Sequence, residues 1–130
     1  MKKLVLLVED DPWLRELYAD TLRREEALTI FEAGTAQEAL QLFNDHDIDL
    51  IVLDLFLPGH NGIELLHELA VYGELAVPVI LLTTVTPSDL AADNERLKHY
   101  GVVEYLYKPV VKPAGILTSV KKQLLKQGVH

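Results

Sequence analysis

The sequence predicts an α/β protein built on a doubly wound, five-stranded parallel sheet with helices on both faces. Three observations carry this reading. Short runs rich in Val, Ile and Leu, such as LVLLV and LIVL, recur along the chain, as expected of strands buried on both faces. Stretches with apolar residues at helical spacing separate them. Polar signatures stand at the C-terminal ends of successive runs: Asp10-Asp11 after LVLLVE, Asp54 after DLIVL, Thr83 after VPVILL, and Lys108-Pro109 after VEYLY. In a parallel sheet with right-handed crossovers these ends share one rim, the place where open α/β sheets bind ligands.

The elements run in order along the chain. After the first strand, Asp11-Pro12 resembles a helix N-cap with proline at the first helical position, and Leu14, Leu17, Tyr18 and Leu22 form the stripe to be buried. Leu28 to Ala33 reads as the second strand. Thr35 with Glu38 is a capping box opening a helix whose apolar face is Ala36, Ala39, Leu40 and Phe43. Asp49 to Leu53 is the third strand; a turn with Pro58, Gly59 and Gly62 leads into a helix from about Ile63 to Val71. Val77 to Leu82 is the fourth strand, and Thr86-Pro87 or Ser88 starts a helix carrying Leu90, Ala91 and Leu97 that ends near Gly101. Val103 to Tyr107 is the fifth strand, and Ile116, Leu117, Val120 and Leu124 mark the last helix.

Length and composition bound the function. The 130 residues suit one domain, 1–130, with a core that needs no disulfide or structural metal. There is no cysteine, which removes thiol catalysis and thiolate metal sites and suits a reducing, cytoplasmic setting. The apolar runs are too short to span a bilayer, and Met1-Lys2-Lys3 leads into a strand rather than a signal peptide. A formal net charge of −8 argues against direct binding to nucleic acid or anionic lipid, so gene control would need a partner or a further domain.

Taken singly, each rim residue has an ordinary reading. Asp10 and Asp11 can both reach one hard cation from a strand end, and Mg²⁺ favours such oxygen donors; equally, Asp11 can cap the helix while Asp10 is solvated. Asp54 ends the most apolar strand and needs a partner, either a cation with Lys108 or a neighbouring turn. Thr83 can donate a hydroxyl hydrogen bond or simply fill a strand position, and Lys108 can be a solvated lysine. Four such placements on one rim weigh more than any one of them.

Together VLLVEDD, DLFLPGHNG, ILLTT and EYLYKP resemble the receiver domains of two-component response regulators, chemotaxis-regulator-like and covering nearly the whole chain. The resemblance implies a flavodoxin-like sheet of strand order 2-1-3-4-5. It implies that Asp54 is the phosphoacceptor, served by a sensor histidine kinase, a histidine phosphotransfer protein or a small phosphodonor. Mg²⁺ would be held by Asp10, Asp11, Asp54 and the backbone carbonyl of Phe56. Lys108 would pair with the carboxylate and then the phosphoryl group, while Thr83 and Tyr105 would form the switch pair. The Lys108-Pro109 bond would be cis. Output would pass through the fourth helix, fifth strand and fifth helix to a downstream protein, an output domain or a phosphorylation-dependent homodimer. Such a chain catalyses its own phosphorylation and dephosphorylation without turning over a separate substrate. The other reading is a pseudo-receiver, a protein interaction module that is never phosphorylated; intact Asp10, Asp11, Asp54, Thr83 and Lys108 count against it.

Enzymes on related folds want motifs that are absent. There is no G-x-G-x-x-G turn after the first strand, no G-x-x-x-x-G-K-[ST] loop, and Phe56 stands where a haloacid-dehalogenase-type phosphatase has its second Asp. Glu9-Asp10-Asp11 would repel the phosphate of a flavin. Phe56 and Val85, both apolar, lie beside the route of hydrolytic water in the resembled family, which predicts slow loss of phosphate. Thr84 adds bulk where that family often has alanine, and Val110 stands where it often has phenylalanine. Trp13 is a candidate docking residue for a kinase or phosphotransfer protein, and Glu64 with His67 is expected to be a solvated helical pair.

Overall fold

The computed structural model describes residues 2–57, 60–72 and 77–127. In chain order the elements are β1 (Lys3–Val8), α1 (Pro12–Arg23), β2 (Leu28–Ala33), α2 (Ala36–Asp45), β3 (Leu50–Asp54), β4 (Phe56–Leu57), β5 (His60–Asn61), α3 (Gly62–Tyr72), β6 (Val79–Thr83), α4 (Pro87–Leu90), a 3₁₀ turn (Ala91–Asp93), α5 (Asn94–His99), β7 (Val102–Tyr107) and α6 (Pro113–Gln127). The main sheet has the order β2-β1-β3-β6-β7, and every neighbouring pair in it is parallel. This is the flavodoxin-like order 2-1-3-4-5, with its switch point beside β1.

Alternation along the central strands divides the core between two faces. Val5, Leu7, Leu50, Val52, Ile80 and Leu82 point to one side, where Tyr18, Ala19 and Leu22 of α1 and Ile116, Val120 and Leu124 of α6 cover them. Leu6, Val8, Ile51, Leu53, Val79 and Leu81 point to the other, under Ala36 and Ala39 of α2, Leu65 and Leu69 of α3, and Leu97 of α5. All five residues of β3 and of β6 are buried, which explains why these strands read as unbroken apolar runs. Leu17 departs from the expected stripe: it is 38% exposed, and Ala19 occupies the buried face instead.

Both predicted N-caps form. Asp11 Oδ1 accepts from Trp13 N at 2.9 Å and Leu14 N at 3.2 Å. Thr35 Oγ1 accepts from Glu38 N at 3.1 Å, and Glu38 Oε1 accepts from Gly34 N at 3.2 Å. Two features differ from expectation. The helix expected to run from Thr86-Pro87 towards Gly101 is broken into α4, the 3₁₀ turn and α5, and Ala91 is exposed. Between β3 and α3 stands the small antiparallel β4–β5 pair, Phe56 opposite Asn61. Gly62 closes it: its N–H donates to the Leu55 carbonyl at 2.8 Å, and a Cβ there would overlap that carbonyl. Pro58 and Gly59 of the expected turn lie outside the described residues, as does the side chain of Phe56.

Candidate phosphoacceptor site

The C-terminal ends of β1, β3, β6 and β7 deliver the polar side chains to one rim. Asp54 is the last residue of β3 and only 5% exposed. Thr83 ends β6, fully covered, and its carbonyl accepts from Lys108 N at 2.7 Å, which joins the ends of β6 and β7. From there the Lys108 ammonium reaches Asp54 Oδ2 at 2.9 Å and Glu9 Oε1 at 2.6 Å. The Lys108–Pro109 bond is trans rather than cis. Trans is the lower-energy isomer even before proline, and Pro109 is exposed.

Of the two aspartates expected at the end of β1, Asp10 faces Asp54 and Asp11 caps α1. Glu9, Asp10 and Asp54 bring carboxylate oxygens within 4.8 Å of one another, whereas Asp11 stands outside this group with Oδ1 committed to the cap of α1. The cap expected at Asp11-Pro12 therefore forms, with Asp11 Oδ1 accepting from two amides of its own helix. Glu9 is wholly buried and escaped the sequence reading, although it comes directly after the apolar run. Its Oε2 accepts from Asp11 N at 3.2 Å. Arg15 of α1 donates to the Glu9 carbonyl at 2.9 Å and lies 3.7 Å from Glu32, which ties this strand end to β2.

Two buried acids therefore share one ammonium. Burial, aided by the nearby charge of Asp54, outweighs Lys108 and pushes the Glu9 carboxyl up to about 7. Burial works against the Lys108 charge as well, but Glu9 and Asp54 outweigh it and hold the ammonium above the usual lysine range. The contact between Glu9 Oε1 and Lys108 is an ion pair by distance without hydrogen-bond direction, since that oxygen accepts no well-oriented hydrogen bond among the described residues. Hard carboxylate oxygens converging in this way, one of them incompletely satisfied, fit Mg²⁺.

Around this centre, Thr83 Oγ1 accepts from Val85 N at 3.0 Å, and Val85 packs against the core beside it. Thr84 is exposed, as are Val110 at 72% and Trp13 at 71%. Tyr105 on β7 is half-buried, and its hydroxyl donates to Asn94 Oδ1 of α5 at 2.8 Å. Sequence periodicity carried no sign of that contact. His67 is exposed as expected but not merely solvated: its Nδ1 lies 3.1 Å from the Tyr100 hydroxyl, a bridge from α3 to the end of α5.

An open parallel sheet with an acidic, lysine-bridged crevice on its C-terminal rim defines an α/β protein of the doubly wound class, whose members bind ligands at that rim. Comparison with known proteins narrows this. Residues 5–121 match the response regulator receiver domain model, and the chain belongs to that family, the receiver domains of two-component response regulators. It is 42% identical over 106 residues to the transcriptional regulatory protein MalR of Bacillus subtilis, covering 81% of this chain and 43% of that protein. It is 34% identical over 125 residues to the DNA-binding response regulator MtrA of Mycolicibacterium smegmatis, covering 95% and 51%. The chain thus spans about half the length of the curated relatives it matches. Among solved structures, a CheY-like receiver domain protein from Methanospirillum hungatei superposes with TM-score 0.84 at 25% identity, covering 98% of each chain. The receiver domain of Francisella response regulator 1452 superposes with TM-score 0.82 at 26% identity, covering 97% of this chain and 99% of that one.

Proposed function

We propose that this chain is a single receiver domain that works as a phosphorylation-controlled switch, with Asp54 as the phosphoacceptor. The observation that supports it most is the position of Lys108, bonded to Asp54 Oδ2 at 2.9 Å and fixed to the end of β6 through Thr83. Phosphoryl transfer needs an in-line nucleophile and positive charge around the phosphoryl oxygens more than covalent help. The Asp54 carboxylate, held at the end of β3 beside the Lys108 ammonium, is the candidate nucleophile. Lys108 turns to the phosphoryl oxygens once the acyl phosphate forms. The Thr83 hydroxyl leaves the Val85 amide to donate to one of those oxygens, and Tyr105 moves into the space it vacates.

Asp10 and Asp54, with the backbone carbonyl of Phe56, are the residues we assign to Mg²⁺, and Glu9 backs them from below while Asp11 serves the helix cap. Bound there, the metal supplies positive charge to the transferring group. The donor is a phosphohistidine of a sensor kinase or phosphotransfer protein, or a small acyl phosphate, and the reading places the domain in the cytoplasm. No helix among the described residues is long and apolar enough to cross a membrane. Output goes to a downstream protein, an attached output domain or a homodimer, without direct nucleic-acid binding by this domain. Incubation with Mg²⁺ and acetyl phosphate followed by intact-mass measurement tests the assignment. One phosphoryl adduct is expected on wild type and none on Asp54→Asn; no adduct on wild type, or equal adducts on both, overturns it.

A further inference from the structure

We infer that Asn94 is a positioning residue that latches Tyr105 in its resting place against Asn94 and thereby sets how readily the site reaches its phosphorylated form. The inference rests on the reading of Thr83 and Tyr105 as a coupled pair. Tyr105 pairs with Leu81 in the sheet, so its ring starts two residues short of the rim where Thr83 ends β6. Its hydroxyl donates to Asn94 Oδ1 at 2.8 Å, and Pro87, Leu90, Ala91 and Asn94 line a cleft of about 200 Å³ beside the ring.

Asn94 owes its place to the broken helix. Three residues of 3₁₀ turn at ~120° each replace three α-helical residues at ~100°, which rotates α5 by roughly 60° relative to a continuous helix. Asn94 is the first residue of the helix that resumes after that turn. Two contacts therefore hold the resting arrangement: Val85 N to Thr83 Oγ1, and Tyr105 Oη to Asn94 Oδ1. Phosphorylation, through Thr83, acts only on the first. The second belongs to the resting place of the ring and has to break when the ring leaves it towards the space beside Thr83. An interaction confined to one state lowers the affinity of any ligand that selects the other, by the factor to which that interaction corresponds. For one neutral hydrogen bond that factor is about fivefold.

The test is a calorimetric titration of the whole chain with beryllofluoride in saturating Mg²⁺, beryllofluoride standing in for the phosphoryl group on Asp54. Asn94→Ala removes the acceptor while substituting a good helix former, and its fold is checked by circular dichroism. It is expected to bind the mimic about 3- to 10-fold more tightly than wild type. Tyr105→Phe, which deletes the same hydrogen bond from the other side, is expected to gain by a similar factor, and the double variant no more than Tyr105→Phe alone. Asn94→Asp keeps an acceptor oxygen and is expected to bind no more tightly than wild type. An unchanged or weaker affinity in Asn94→Ala overturns the latch. So does the same gain from Asn94→Ala with and without the Tyr105 hydroxyl, since an effect on the helix alone would be additive. Failure of wild type to bind beryllofluoride at all, with no acetyl phosphate adduct, overturns the switch reading and the latch with it.

Discussion

Lys108 carries one positive charge between Glu9 and Asp54, and it does not outweigh the burial of Glu9, which fixes how the site responds to pH. Glu9 is buried and its carboxyl lies near 7 in the folded protein against an ordinary value of 4.5. A folded-state pKa above the unfolded one means that the native protein binds more protons between those values, so stability is greatest below the lower value and falls as pH rises through the upper one. In metal-free buffer the unfolding free energy should therefore drop by about 1–3 kcal/mol between pH 4.5 and 7. Urea midpoints measured across that range check this, and Glu9→Gln should flatten the slope; a slope that survives the substitution assigns it to another group. Val85 supports a second expectation at the same scale. It packs beside Thr83 with its amide on the Thr83 hydroxyl, where an approaching water would meet an apolar wall. Val85→Ala should shorten the lifetime of the acyl phosphate several-fold, read by loss of the adduct mass after acetyl phosphate is removed; an unchanged lifetime removes Val85 from the hydrolytic route.

At the scale of elements, the features legible in the sequence are those that the physics of burial imposes. β1, β3 and β6 were legible because strands covered on both faces must be apolar throughout, and the caps at Asp11 and Thr35 because capping is a local contest between a side chain and nearby amides. The break at Ala91–Asp93 and the pair β4–β5 were not, since neither leaves a periodic signature in so few residues. The different positions of Asp10 and Asp11 were not legible for a related reason: the two look alike in sequence, and only helix geometry shows that Asp11 caps α1 while Asp10 faces Glu9 and Asp54. Glu104 was invisible altogether. On β7 it accepts from Ser119 Oγ at 2.6 Å and Gln123 Nε2 at 2.8 Å and pairs with Lys122 at 3.0 Å, which clamps α6 to the sheet edge. Burial opposes its ionisation, but these donors and the ammonium outweigh it and hold the carboxyl below its usual range. A depressed pKa contributes stability that is present above the unfolded value and lost as pH falls through the folded one. Glu104→Ala should cost about 2 kcal/mol at pH 7, because Ser119 and Gln123 are buried and lose their acceptor. The gap between the two proteins should narrow as pH falls below the ordinary glutamate value and through the depressed folded one. Paired urea titrations at pH 7 and below that folded value check both parts; an equal gap at both would mean that the loss is one of packing rather than of charge.

For the whole molecule, the acidic rim and the formal charge of −8 act together, because self-repulsion is added to three carboxylates converging at one strand edge. A cation that binds the folded rim and not the unfolded chain raises stability by RT ln(1 + [L]/Kd), about 2.7 kcal/mol at a hundredfold excess over Kd. Screening of the net charge also stabilises, but any salt supplies that part. The two contributions separate by experiment. Mg²⁺ should raise the thermal midpoint well beyond NaCl of equal ionic strength, and Asp10→Asn should remove the excess while leaving the response to NaCl in place. Trp13 offers a second reading of the same event: it is 71% exposed, its amide is held by the Asp11 cap, and it lies three residues from Asp10. Its fluorescence should change with the same Mg²⁺ midpoint as the stability. If Mg²⁺ and NaCl raised the midpoint equally at matched ionic strength, the carboxylates would be acting as a diffuse charge, and the rim would not be a metal site.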